Sequence, residues 1–187
     1  MDMLIHTCCA ICLIGPYHEL ADAGHRVRGY FYNPNIHPLI EFRRRLKAVK
    51  VLRDRMKIDV ICEEEYGLNK FLREVDWESG SRCSDCYVLR LQHTARRAAE
   101  EGCDAFTTTL FTSIHQDHEL IKKAGREFGR QYDVEFVEKD WRELHETNVE
   151  EARRMNLYRQ QYCGCVFSEY ERYCDTGRHL YGGPGGD

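Results

Sequence analysis

No stretch of this sequence approaches the roughly 18 consecutive apolar residues that a membrane-spanning helix needs. The opening Met1-Asp2-Met3 lacks the basic region and apolar core of a secretory signal, so a cytoplasmic protein is expected. Positive charge is not in excess either. The formal net charge of −4 excludes a polycation and leaves local patches as the route to any nucleic acid. Internal repeats and linkers are also missing, so the chain is expected to be a single domain over residues 1–187, with a flexible glycine-rich tail from about 181. A content of 42% hydrophobic and 31% charged residues excludes a disordered chain.

Cysteine is what the chain does have. Ten cysteines in a cytosolic-looking sequence are not expected to be a disulfide framework, because that compartment keeps thiols reduced. Six of them fall in three tight pairs, Cys8/Cys9 (with Cys12 close by), Cys83/Cys86 and Cys163/Cys165. Clustered thiols in the cytosol point to metal or redox chemistry. Cys62, Cys103 and Cys174 are isolated and read as ordinary thiols.

Apolar runs and turn residues predict strands at 3–5, 26–32, 58–62, 104–110 and 133–137. Helical spacing predicts helices at 13–23, 39–56, about 68–75, 83–101, 119–128, 144–155 and 166–173. Strands that alternate with helices give a parallel sheet with right-handed crossovers. The expected fold is therefore α/β: a Rossmann-like, doubly wound parallel sheet of about five strands with helices on both faces. In such a fold the metal site belongs at the C-terminal ends of the strands.

Cys8, Cys9 and Cys12 fall at the first strand-to-helix junction, where a nucleotide-binding loop would need glycines. The sequence there is Cys-Cys-Ala-Ile-Cys, which argues against an ATP-dependent enzyme. Four thiolates suit a tetrahedral zinc or an iron–sulfur cluster. Adjacent residues of a strand face opposite sides, so Cys8 and Cys9 reach one centre only if the backbone turns between them. A small ion tolerates that worse than a cluster does, and the pattern leans towards iron–sulfur. Cys163-Gly164-Cys165 would close a small, strained disulfide ring, which suits a labile redox pair. The alternative is that these two thiolates, with Cys12, bind a second metal ion.

Five motifs occur in order: His6-Thr7-Cys8-Cys9-Ala10, Tyr32-Asn33-Pro34-Asn35-Ile36-His37-Pro38, Arg82-Cys83-Ser84-Asp85-Cys86, Phe106-Thr107-Thr108-Thr109-Leu110, and the run from Tyr158 through Cys163-Gly164-Cys165 to Ser168. Together they resemble the epoxyqueuosine reductases of the QueH family, the cobalamin-independent type, over nearly the whole chain. The resemblance implies a metalloenzyme that reduces the epoxide of epoxyqueuosine in tRNA to give queuosine. It implies Cys8, Cys9, Cys83 and Cys86 as ligands of a [4Fe-4S] cluster and Cys163 and Cys165 as the redox-active pair. The family is also associated with a second, mononuclear iron, for which Cys12 is a candidate ligand. Ile11 stands where the family usually carries proline.

The partners implied are tRNA carrying epoxyqueuosine and an electron donor, with the enzyme expected to be a monomer. Arg43, Arg44, Arg45 and Lys47 on one helix, and Arg153, Arg154 and Arg159 before Cys163, are candidate phosphate contacts, though such a face is often only solvated. Asn33, Asn35 and His37 follow strand two, where a ligand crevice is expected, and turn chemistry alone would also explain them. His115, Asp117 and His118 follow strand four as candidate proton donors or ligands. A non-catalytic zinc-stabilised RNA-binding module is the reading from a different functional class, and an electron carrier is a third.

Overall fold

The computed structural model describes residues 1–78 and 80–175. The tail expected from about 181 lies outside the described residues.

Five parallel strands form one sheet in the order β3-β2-β1-β4-β5. They are β1 (Asp2–His6), β2 (Arg26–Phe31), β3 (Asp59–Cys62), β4 (Ala105–Thr108) and β5 (Glu135–Phe136). The helices are α1 (Ala10–Asp22), α2 (Leu39–Met56), α3 (Leu68–Glu74), α4 (Arg82–Glu100), α5 (His118–Tyr132), α6 (His145–Arg154) and α7 (Val166–Tyr173). α1 packs on α2 and α6 over one face of the sheet, while α4 and α5 pack together over the other. This is the doubly wound α/β fold that the alternation implied.

Met3, Leu4 and Ile5 are at most 1% exposed, as expected of a central parallel strand covered on both faces. Each such side chain contributes about 1.5–3 kcal/mol through its burial. The strand order reverses between β1 and β4, where Ile5 pairs with both Gly29 and Thr107, and His6 with both Tyr30 and Thr108. That reversal opens a crevice beyond the carboxyl ends of the two strands.

Several boundaries differ from those the local pattern implies, for physical reasons. α1 starts at Ala10 rather than 13, because the Cys9 sulfur accepts the Cys12 N–H at 3.3 Å and caps the first turn. Pro16 lies inside α1, and the neighbouring Gly15 N–H donates to Asn148 Oδ1 of α6 at 2.8 Å. A Cβ on Gly15 would stand 2.5 Å from that oxygen, so glycine is what admits α6 so close. The fourth strand ends at Thr108, and residues 109–112 turn into a 3-10 helix instead. The fifth strand keeps only two paired residues.

Candidate metal and thiol centre

Each cysteine pair sits at the N-terminus of a helix. Cys9 caps α1, Cys83 and Cys86 lie in the first turns of α4, and Cys165 caps α7 by accepting the Ser168 N–H at 3.4 Å. A helix N-terminus carries partial positive charge and favours the thiolate. The fold brings these three termini to one cavity of about 570 Å³ at the β1/β4 reversal, lined among others by Cys8, Cys12, Cys83, Cys86, Cys163 and Cys165. Cys9 lies just behind the wall, buried, with its sulfur 3.8 Å from that of Cys8.

The sulfurs of Cys8, Cys9 and Cys12 all lie within 4.8 Å of one another. The backbone turn needed to bring Cys8 and Cys9 together is therefore present. It comes from the strand end meeting the helix cap, with Cys9 at φ −164° and ψ 164°. The triad is the one group of the described residues compact enough to hold a metal ion as it stands, while Cys83 and Cys86 line the same cavity outside that group.

Donors point at these sulfurs. Gln160 Nε2 lies 3.0 Å from Cys9 Sγ and 3.7 Å from Cys12 Sγ. The Thr109 hydroxyl accepts the Cys8 N–H at 3.1 Å and donates to Cys8 Sγ at 3.3 Å. Hydrogen bonding from Cys12, then from Cys9, holds the Cys8 thiol well below its usual range, whereas burial pushes the Cys9 thiol up. Cys86 is pushed up to about 12, chiefly by burial. Thiols gathered at one cavity, with that of Cys8 held low, are a soft donor set. It fits a thiophilic metal or a sulfide-bridged cluster.

The Cys163 loop is pinned from beneath. Three successive carbonyls, of Tyr162, Cys163 and Gly164, accept from Arg45 Nη2 (2.9 Å), Arg45 Nη1 (2.8 Å) and the His37 N–H (2.7 Å). The Tyr162 hydroxyl donates back to the His37 carbonyl at 2.7 Å. Arg45 is 1% exposed and ion-paired to Glu41 at 2.7 Å, so it cannot join Arg43, Arg44 and Lys47 as a phosphate contact; burial has made it a clamp. Arg43 and Arg44 are exposed on α2. Arg159 is exposed beside a smaller cavity of about 170 Å³ that reaches Cys12, His145 and Gln160.

The loop after β2 divides in function. Asn33 is buried and donates from Nδ2 to the Thr7 carbonyl at 2.8 Å; buried His37 meets the Pro34 carbonyl through Nε2 at 3.0 Å. Only Asn35 of the three lines the cavity, and its Oδ1 is buried with no hydrogen-bond partner. His115 also lines the cavity; His118 instead meets the Ser113 carbonyl, and Asp117 caps α5.

The model for the family described as "Epoxyqueuosine reductase QueH" matches residues 3–171. The chain is a member of the QueH family. Among similar relatives, the epoxyqueuosine reductase QueH of Dehalococcoides mccartyi is 36% identical over 171 residues, covering 91% of this chain and 94% of the relative. That of Thermotoga maritima is 33% identical, covering 91% of each. That of Helicobacter pylori is 36% identical over 89% of this chain, but the match spans only 49% of that longer relative. As a QueH-family chain, it carries the cysteine-rich site in the cavity where its fold places ligands. No helix of the described residues is long and apolar enough to cross a membrane.

Four residues of this QueH-family site were not singled out as candidates from the sequence, although three of them, His6, Thr109 and Gln160, lie within the quoted motifs. His6 is fully buried and joins the strand ends, meeting the Tyr32 carbonyl at 3.2 Å and Thr108 Oγ1 at 3.0 Å. Thr109 could have been suspected as the first residue beyond β4 at a switch point. Gln160 precedes Cys163 by one helical turn's worth of residues, yet reaches the other thiol cluster. Arg90 follows Cys86 by four positions and so shares its helix face.

Proposed function

We propose that this chain is an epoxyqueuosine reductase, an oxidoreductase that acts in the cytoplasm on tRNA carrying epoxyqueuosine. It removes the epoxide oxygen and leaves the alkene of queuosine. The observation that carries this reading is the meeting of three cysteine pairs, each at a helix N-terminus, in one cavity of a QueH-family chain.

In this reading Cys8, Cys9, Cys83 and Cys86 would hold a [4Fe-4S] cluster, and Cys12 a second iron. When bound, such a cluster supplies electrons one at a time. Cys163 and Cys165 match the overall stoichiometry. Epoxide to alkene plus water takes up two electrons and two protons, and oxidation of two thiols to a disulfide releases two of each. An electron donor then returns the disulfide to the dithiol. The Arg45 and His37 clamp holds exposed Cys163 at the cavity wall, which buried Cys165 also lines.

For the substrate, Asn35 offers its unpartnered Oδ1 to the cavity, and Asn33 and His37 act by shaping the loop that presents it. Arg43, Arg44 and Arg159, all exposed, supply salt-sensitive phosphate contacts. A second reading is a single metal ion on Cys8, Cys9 and Cys12. Two thiolates on one tetrahedral zinc stand about 3.8 Å apart, which is the Cys8–Cys9 spacing here. That spacing favours the zinc-stabilised RNA-binding module as the alternative.

Anaerobic purification with iron, sulfide and zinc analysis separates the two. Protein that binds about four sulfides with four or five irons, and that removes one oxygen from epoxyqueuosine in tRNA by mass spectrometry, supports the reductase. Protein with one zinc, no sulfide after reconstitution and no turnover overturns it.

A further inference from the structure

Among the charged groups that line the cavity, Arg90 is fully buried and is used by neither the thiol chemistry nor the loop clamp. Arg90 lies on α4 four residues after Cys86 and seven after Cys83, so all three share one helix face. It is 1% exposed and lines the cavity. Its Nε donates to the Cys86 carbonyl at 3.2 Å, and its guanidinium carbon stands 5.7 Å from the centre of the Tyr87 ring. Its Nη2 is buried with no hydrogen-bond partner, and no carboxylate of the described residues forms an ion pair with it. Arg45, equally buried, has both Glu41 and two carbonyls.

A guanidinium cannot lose its proton to relieve burial. An uncompensated one inside a protein is costly, and the cost is removed only by an anion beside it. The groups that feel its charge are Cys86, Cys163, Cys8 and Tyr87, three of them cavity thiols. His6, on the adjoining strand end, feels it as well.

We propose that Arg90 is a positioning residue of the sulfur centre: it compensates the negative charge of the thiolate-ligated metal and thereby raises the centre's reduction potential. This rests on the reading of the cavity as a metal centre. Net charge and hydrogen bonds to sulfur are among the levers by which a protein sets such a potential, and Arg90 supplies a full charge that no carboxylate of the described residues pairs. A lysine in its place keeps the charge but not the planar fork.

The test compares the wild type with Arg90→Met, similar in length and uncharged, and Arg90→Lys. With thiols reduced and no metal, Arg90→Met is expected to melt about 3 °C or more above the wild type, because an uncompensated buried charge has gone. With metal loaded, its midpoint potential by EPR-monitored titration is expected to be more negative than wild type, and Arg90→Lys to stay near wild type. If Arg90 merely staples α4 through the Cys86 carbonyl, Arg90→Met melts below the wild type without metal and, once loaded, keeps the wild-type potential; that overturns the proposal. Should Arg90→Met not fold, Arg90→Gln, uncharged but with a donor left for the Cys86 carbonyl, is read in its place, and a wild-type potential there overturns the proposal equally. A raised KM for tRNA at unchanged potential would assign the charge to substrate and also overturn it. Failure of the wild type to bind any metal after anaerobic reconstitution sinks the metal-centre reading instead, a result distinct from a loaded protein whose potential ignores Arg90.

Discussion

Arg45 donates from Nη1 to the carbonyl of Cys163, 118 positions away in the chain, at 2.8 Å. The same side chain neutralises Glu41 and holds the Tyr162 carbonyl. One buried cation from α2 therefore sets where the Cys163-Gly164-Cys165 loop stands relative to the Cys8 cluster.

Removing that cation should be severe. Arg45→Met leaves Glu41, 3% exposed, without its charge partner, and a broken buried pair costs about 3–5 kcal/mol. Urea denaturation of the metal-free protein should show the loss, and adding Glu41→Gln should recover a substantial part of it. A double variant no more stable than Arg45→Met would mean that the stranded carboxylate is not the source.

Gly164 is required by the backbone as well as by space. Its φ of 149° is one that side-chain-bearing residues rarely adopt, and a Cβ there would meet Asn35 Nδ2 and Ile36 Cγ1 at 3.2 Å. Gly164→Ala should destabilise by about 1–3 kcal/mol and disturb the Cys163 carbonyl contact. Faster alkylation of Cys163 at equal protein concentration reads out the second effect; unchanged stability and unchanged alkylation would show that the loop has room to shift.

The proposed redox pair and the proposed ligand set separate in a single variant. Cys163→Ser should abolish turnover and leave the visible absorption of the loaded protein intact. Absorption lost along with turnover would make Cys163 a ligand instead.

His93 provides a pH signature away from the thiols. Its ring stacks on Tyr32 at 3.8 Å between centroids, meets the Tyr30 hydroxyl through Nδ1 at 3.0 Å and faces Arg96 at 2.8 Å through Nε2. Burial, then the charges of Lys70, Arg96 and Arg97, lower it to about 4. The unfolded chain binds this proton near pH 6.5 and the folded chain only near 4, so stability falls as pH drops through that window and is fully present above it. The ring is partly exposed, so the effect is smaller than the ~3 kcal/mol that the whole shift would represent. His93→Gln should flatten the stability profile between pH 4 and 6.5, and an unchanged slope would assign the acid sensitivity to other groups.

Much of the site was legible because the relevant signals are local. The three cysteine pairs and the strand-to-helix junction at Cys8 are readable from spacing alone, and the loop from Asn33 to Pro38 from its turn residues. What spacing could not show is which charges are inside. Arg43, Arg44 and Arg45 are equivalent letters in a basic run, yet only Arg45 faces inward, because the α2 turn points it at Glu41 and the 162–164 loop. Asn33, Asn35 and His37 are likewise equivalent as turn residues, and only Asn35 meets the cavity.

By itself the sequence determined the alternation of strands and helices, hence a parallel sheet, and the placing of thiols at helix starts. Both follow from periodicity and capping, which act over a few residues. The tertiary structure alone decided the rest. It set the 3.8 Å approach of Cys8 to Cys9, the delivery of Gln160 to a thiol 151 positions earlier, and the unpaired charge of Arg90 at the sulfur-lined cavity. Those depend on burial and on partners brought together by packing, and desolvation gives them their strength.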